Sequence, residues 1–270
     1  MSTISTRFST VAQVLPSNLA ASPSSELSAR LSSLYLSSQR SNYVFGSPLG
    51  PFYHRGQALH VPRFVYFGPH THDESLRLAF FSGFDASDLR GSLALLNFVE
   101  GLASAPDLGQ GLNLSFFPIV DVVGLFQGLE NRDLANASWS FPSAPEIDLL
   151  QKDARSRGYH GFVRIETGSS EDAITVRVQG DCAETAEASG IELISSEDLE
   201  PSSVRWEAKR AGDEKTGPLA LIDDLPLRPF ELILSLPSDW TEERSREAVT
   251  TTLKRFILRY RTLQAYGQHL

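Results

Sequence analysis

The stretch from Arg77 to Ser104, RLAFFSGFDASDLRGSLALLNFVEGLAS, restricts the possible fold more than any other part of the chain. It opens with the apolar run Leu78 to Phe81, which is too short for a helix and suits a strand buried on both faces. A tight polar segment follows, Ser82-Gly83-Phe84-Asp85-Ala86-Ser87. Ser87 or Asp88 then caps a helix whose apolar positions Leu89, Leu93, Leu96 and Val99 recur three or four apart, on one face. Strand, sharp loop and helix N-terminus are the parts from which open α/β sheets build sites, at the carboxyl end of a strand. Asp85 and Asp88 stand at that point.

The rest of the chain extends this pattern. Residues 1–24 are rich in Ser, Thr and Ala and read as a loosely ordered lead-in; 25–270 read as a single α/β domain. A helix is expected over Ser25 to Ser38, with short strands over Asn42 to Phe45, Gly50 to Tyr53 and Arg63 to Gly68. Beyond the central helix, Leu112 to Val123 reads as a strand, Pro145 to Arg157 as a helix stopped by Gly158, and Gly161 to Ile165 as a buried strand. Glu166 to Asp172 is expected to be the loop at its end. The acidic segment from Thr185 to Gly217 carries no readable period. Phe230 to Leu236 closes the sheet, and Thr241 to Leu263 forms the last helix, with Glu242 and Glu243 favourably placed in its first turn. The alternation predicts a mixed, mostly parallel twisted sheet sandwiched between helices.

Charge and cysteine usage narrow the function. A net charge of −9 without a Lys/Arg cluster argues against nucleic acid as a partner. The single cysteine, Cys182, excludes an internal disulfide and a thiolate zinc site, and it lacks a local cationic activator. No apolar run is long enough to span a bilayer and no secretory leader is visible, so no membrane partner and a cytoplasmic location are expected.

The central stretch resembles the first metal-binding segment of the zinc carboxypeptidase superfamily, including its succinylglutamate desuccinylase and aspartoacylase-like branch. That family carries Gly-x-His-x-x-Glu after a buried strand; here the frame is Gly83-Phe84-Asp85-Ala86-Ser87-Asp88. Asp85 stands at the His position and Asp88 at the Glu position. The family's Asn-Pro-x-Gly falls on Asp121-Val122-Val123-Gly124. Its Asn-Arg followed by Asp-Leu-Asn-Arg falls on Asn131-Arg132 and on Asp133-Leu134-Ala135-Asn136. The third ligand, a His at the end of a buried strand, falls on Glu166, and the catalytic Glu before a proline falls on Ser235. The likeness runs over most of the chain after residue 60 and implies a zinc-carboxypeptidase-like fold. It implies a pocket built from Asp85, Asp88, Arg90, Asp121, Asn131, Arg132, Asn136, Glu166 and Ser235.

These substitutions set the functional expectation. A catalytic zinc needs imidazole and carboxylate ligands, an open position for water, and a carboxylate base. Asp85, Asp88 and Glu166 are three acids, suited to a hard cation such as Ca²⁺ or Mg²⁺ if any metal binds. Alternatively they pair with arginines such as Arg90 or Arg132. Left unpaired, converging carboxylates would repel and raise at least one pKa. Ser235 cannot serve as a carboxylate base, and Glu231, on the same strand face, reads as a rim residue. His70-Thr71-His72-Asp73-Glu74 offers a rival metal-like register, but it precedes the strand and reads as a solvated turn. The expectation is a non-catalytic homologue with no cofactor, whose cleft binds a small molecule, a peptide or a partner. The alternative is an active metal-dependent amide hydrolase with an altered ligand set.

Overall fold

The computed structural model describes residues 23–72, 75–128, 132, 134, 144–170, 172–179, 204–208 and 229–267. The lead-in 1–22, Asn131, Asn136 and Cys182 lie outside them, as does most of the segment 185–217. Ten strands are present among the described residues: β1 (Val44–Gly46), β2 (Leu49–His54), β3 (Gln57–Val61), β4 (Phe64–Phe67), β5 (Leu76–Phe81), β6 (Leu112–Phe117), β7 (Gly161–Ser169), β8 (Ile174–Gln179), β9 (Val204–Ala208) and β10 (Phe230–Pro237). Eight of them form one sheet in the order β1-β4-β6-β5-β7-β10-β8-β9, and β2 and β3 form a separate hairpin. The four central strands β6, β5, β7 and β10 run parallel. β4 and β8 flank them antiparallel, and β9 runs parallel to β8. This is the mixed, mostly parallel sheet that the alternation of periods implies.

The helices are α1 (Pro23–Ser38), α2 (Arg90–Ser104), α3 (Val122–Phe126), α4 (Pro145–Arg157) and α5 (Glu242–Gly267). Parallel strands buried on both faces need helices on both faces. One face carries Phe80, Phe116 and Phe230. Phe80 stacks on Phe116 at 5.0 Å between ring centroids, and Phe98 of α2 and Phe256 of α5 close over this layer. α1 and α5 both pack against α2. The other face carries Phe81, Phe117 and Phe162, with Phe81 stacked on Phe117 at 4.8 Å and Tyr159 edge-on to Phe162. α4 packs beside the β2–β3 hairpin.

Two glycines let the central unit close. Gly83 has φ of 67°, and a Cβ there would come within 2.9 Å of the Pro118 carbonyl oxygen, so a side chain is both strained and obstructed. Gly91, in the first turn of α2, lies where a Cβ would meet Ser82 Oγ at 2.7 Å and Ile165 Cγ2 at 3.2 Å. Its lack of a side chain seats the helix start directly on the ends of β5 and β7.

Several sequence expectations need correction. The central helix begins at Arg90, with no side-chain cap; Asp88 accepts a hydrogen bond from Arg90 N at 3.2 Å, while Asp85 spends its carboxylate on Ser87. The strand expected from Leu112 to Val123 stops at Phe117, before Pro118. Asp121 then caps the short helix α3 by accepting from Gly124 N at 2.8 Å. Residues Glu166 to Ser169 are strand rather than loop, because β10 continues beside them as far as Pro237 opposite Ser169. Residues 23 and 24 belong to α1. The α4 bounds and the left-handed Gly158 stop, with φ of 58°, agree with the sequence reading.

Candidate functional site

The carboxyl ends of β5, β7 and β10 meet on one edge of the sheet, and the candidate site is built there. β7 and β10 are in register with Glu166 opposite Ser235 and Arg164 opposite Ile233. Alternation along a strand puts Arg164 and Glu166 on one face, together with Glu231, Ile233 and Ser235. β8 extends this face, with Thr175 opposite Ser235 and Arg177 opposite Ile233.

A row of charges crosses these strands. Arg164, 3% exposed, donates from Nη1 to Glu231 Oε1 at 3.2 Å and from Nη2 to Glu166 Oε1. Its guanidinium also lies over the Phe84 ring, 4.9 Å from the centroid. Arg177 approaches the other Glu166 oxygen at 3.8 Å. Glu231 is therefore not a rim residue: it is fully buried, and Arg164 accounts for its tolerance there. Among the described residues, this row sets two guanidinium groups against two carboxylates.

A pocket of about 360 Å³ opens beside this row, lined by Glu166, Thr167, Gly168, Ser169, Ser170, Thr175, Arg177 and Ser235. Of the residues expected from the sequence, it gathers Glu166 and Ser235. Asp88 reaches the same end of the sheet but on the other side. Its carboxylate accepts a hydrogen bond from the Thr167 side chain, and Thr167 alternates with Glu166 on β7. Burial works against the Asp88 charge, but hydrogen bonds from the Arg90 side chain and backbone outweigh it and hold the pKa below the ordinary aspartate value. Arg90 in turn donates from Nη1 to the carbonyls of Pro237 at 3.0 Å and Trp240 at 2.7 Å. Asp85 accepts from Ser87 N at 2.8 Å and Ser87 Oγ at 2.6 Å. The pairing of Asp88 with Arg90 is the alternative to metal binding that the sequence offered.

Asp121 and Arg132 form a separate cluster with Glu146 of α4. Arg132 Nη1 donates to Asp121 Oδ1 at 2.8 Å and to Glu146 Oε1 at 2.6 Å. Both carboxylates are fully buried, and Glu146 also accepts from Val123 N at 3.0 Å. Burial, with the Glu146 charge adding to it against the opposing pull of Gly124 N and Arg132, pushes the Asp121 pKa up to about 6. One guanidinium serves two buried acids, and Asp121 Oδ2 has no hydrogen-bond partner among the described residues. Arg132 thus holds the chain's own carboxylates.

Solved structures of known proteins share this architecture, among them these three. A metallo-carboxypeptidase from Burkholderia cenocepacia superposes with a TM-score of 0.66 at 14% identity, over 90% of this chain and 70% of that one. A metallo-carboxypeptidase from Pseudomonas aeruginosa, in complex with (2-guanidinoethylmercapto)succinic acid, gives 0.59 at 17% identity, over 85% and 68%. An aspartoacylase family protein from Mesorhizobium loti gives 0.53 at 11% identity, over 77% and 67%. The chain has the metallo-carboxypeptidase fold. At these identities the likeness is one of architecture; no protein-family model and no curated protein matches the sequence.

The zinc that the sequence resemblance implies does not fit the residues at the positions it assigns. Its ligand positions carry no imidazole, and each carboxylate is engaged: Asp85 by Ser87, Asp88 by Arg90 and Thr167, Glu166 by Arg164 and Arg177. Among the described residues no group of three or more His, Cys, Asp or Glu is arranged to hold a metal ion. His70 and His72 follow β4, whose end pairs with the start of β6, so they lie at the opposite edge of the sheet from the pocket. The rival register therefore does not place them in it.

Sequence reasoning missed Arg164, Arg177, Thr175 and Glu146. For Arg164 the signal was present: in Gly161-Phe162-Val163-Arg164-Ile165-Glu166, two charges of opposite sign alternate within a buried strand. Glu231 and Ser235, four apart on β10, keep the same face phase, with Ile233 between them. Charges with period two in apolar strands mark a polar sheet face. β8 could not be located from sequence, so Thr175 and Arg177 had no face to be assigned to.

Proposed function

We propose that this chain is a non-catalytic protein of the metallo-carboxypeptidase fold, which uses the pocket between β7, β8 and β10 to bind a small ligand. The supporting observation is the commitment of Glu166. At the position where the resemblance implies a metal-binding His, it is instead the shared acceptor of Arg164 and Arg177. A buried guanidinium at that point repels a cation, and releasing Glu166 would leave Arg164 with one carboxylate fewer in a low-dielectric site. Ser235, at the position of the base, supplies only a hydroxyl, and the carboxylate beside it, Glu166, is committed to Arg164 and Arg177. No metal cofactor is part of this reading.

The test is elemental analysis of the purified protein together with assays of carboxypeptidase, desuccinylase and deacylase substrates, with and without chelator. The expected result is no stoichiometric zinc and no turnover above background. Metal-dependent turnover abolished by chelator would overturn the reading in favour of an altered-ligand amide hydrolase. Among the described residues no helix is long and apolar enough to cross a membrane.

A further inference from the structure

We infer that the pocket beside Glu166 and Ser235 is a site for a small, neutral, polyhydroxylated molecule, a polyol or monosaccharide, bound through side-chain hydroxyls. The inference deepens the binding role proposed above and rests on it. The lining includes the hydroxyl residues Ser169, Ser170, Thr175 and Ser235, while the Thr167 hydroxyl is given to Asp88 on the other face, and among the described residues no apolar residue lines the pocket. A greasy ligand would gain nothing from such a lining. The two charged walls do not call for a charged ligand either. Glu166 is held by Arg164 and approached by Arg177, and Arg164 also pairs with Glu231, so among the described residues the row carries no net charge. An anion would have to draw Arg177 away from Glu166, and a cation would face Arg164.

Thr175 is the observation that points to an occupant. It is 6% exposed, it lines the pocket, and its Oγ1 is buried without a hydrogen-bond partner among the described residues. A buried hydroxyl left unpaired is costly, and an amphoteric partner that both donates and accepts relieves it. Ser235 sits directly across the ladder from Thr175, on the same face of the sheet. The volume of about 360 Å³ lies at the small end of the range for small-molecule sites, roughly 300–1,000 Å³, and suits a ligand of monosaccharide size.

The experiment titrates the full chain with myo-inositol, D-glucose, glycine, L-glutamate and sodium acetate by NMR, with the hydrolase assays run in parallel. Saturable binding of myo-inositol or D-glucose is expected, at least tenfold tighter than glycine, L-glutamate or acetate. Thr175→Val keeps the branched shape and should weaken it tenfold or more. Ser235→Ala should weaken it several-fold, and thermal melts of both variants check folding. Absence of saturable polyol binding, tighter binding of an ionic probe, or unchanged affinity in both folded variants would overturn the inference. Chelator-sensitive turnover would instead overturn the non-catalytic reading, so the two failures are distinguishable.

Discussion

Glu166 and Ser235 face each other as a directly paired couple in the parallel ladder of β7 and β10. The resemblance placed a metal ligand at one and a catalytic base at the other, from segments far apart in sequence. Their juxtaposition supports the alignment of landmarks, and it also fixes what substitution there can do. A second carboxylate at 235 would stand beside Glu166 on the same face, where like charges directly opposite destabilise a sheet. Ser235→Glu is expected to lower the melting temperature and to yield no hydrolase activity, because ligands and base act only as a unit. Thermal melts and substrate assays of the single variant check both statements.

Arg164 is the most exposed to damage by truncation, in the energetic sense. Arg164→Ala removes the Arg164 cation from the fully buried Glu231, and breaking such a buried pair costs about 3–5 kcal/mol. The double change Arg164→Met with Glu231→Leu should recover most of that loss, since an apolar pair of similar volume replaces two desolvated charges. Urea unfolding of wild type and the variants measures the coupling; equal losses in single and double variants would contradict it.

Asp121 predicts a pH dependence of stability. Its pKa is raised to about 6 in the folded state from 3.8, so the folded chain binds this proton more tightly than the unfolded chain. The associated stability is complete below about pH 4 and is lost as pH rises through about 6. Two pH units correspond to about 3 kcal/mol as an upper scale. Asp121→Asn keeps acceptors for Gly124 N and Arg132 and removes the titration. The slope of stability between pH 4 and 6 should flatten in this variant, as read by denaturant midpoints across that range. An unchanged slope would show that Asp121 is not the titrating group.

Arg90→Ala is expected to cost about 2–3 kcal/mol, because it removes charged hydrogen bonds to Pro237 O and Trp240 O and strands Asp88. Arg90→Lys should recover only part, since a single ammonium cannot reproduce the fork that reaches Asp88 and two carbonyls together. Chemical denaturation of both variants tests this ranking.

The elements with strong periodicity were legible in the sequence: the buried run that became β5, the amphipathic α2, the Pro-started and Gly-stopped α4, and the final strand and helix. The hairpin strand β3 and the strands β8 and β9 at one end of the sheet were not, because their pattern depends on partners remote in sequence. The site was half legible. Landmark glycines and prolines put Glu166 and Ser235 at the carboxyl edge, and β7 and β10 hold these two residues side by side there. Convergence of Asp88 with Glu166 was the weaker inference. Segment order fixes which strands end together, whereas the face a side chain takes depends on a one-residue phase in β7 and on the competing grip of Arg90.

That grip has a mechanical consequence. Arg90 begins α2, binds the loop after β5 through Asp88, and holds the turn between β10 and α5 through two carbonyls. The loop, the helix start and the lead into α5 are thereby stitched at one knot, a few residues from the pocket wall at Ser235. Force or cleavage applied to α5, on the far side of the sheet, would be felt first at that knot. The closing helix therefore acts as a tether for the pocket's rim as well as a cover for the sheet.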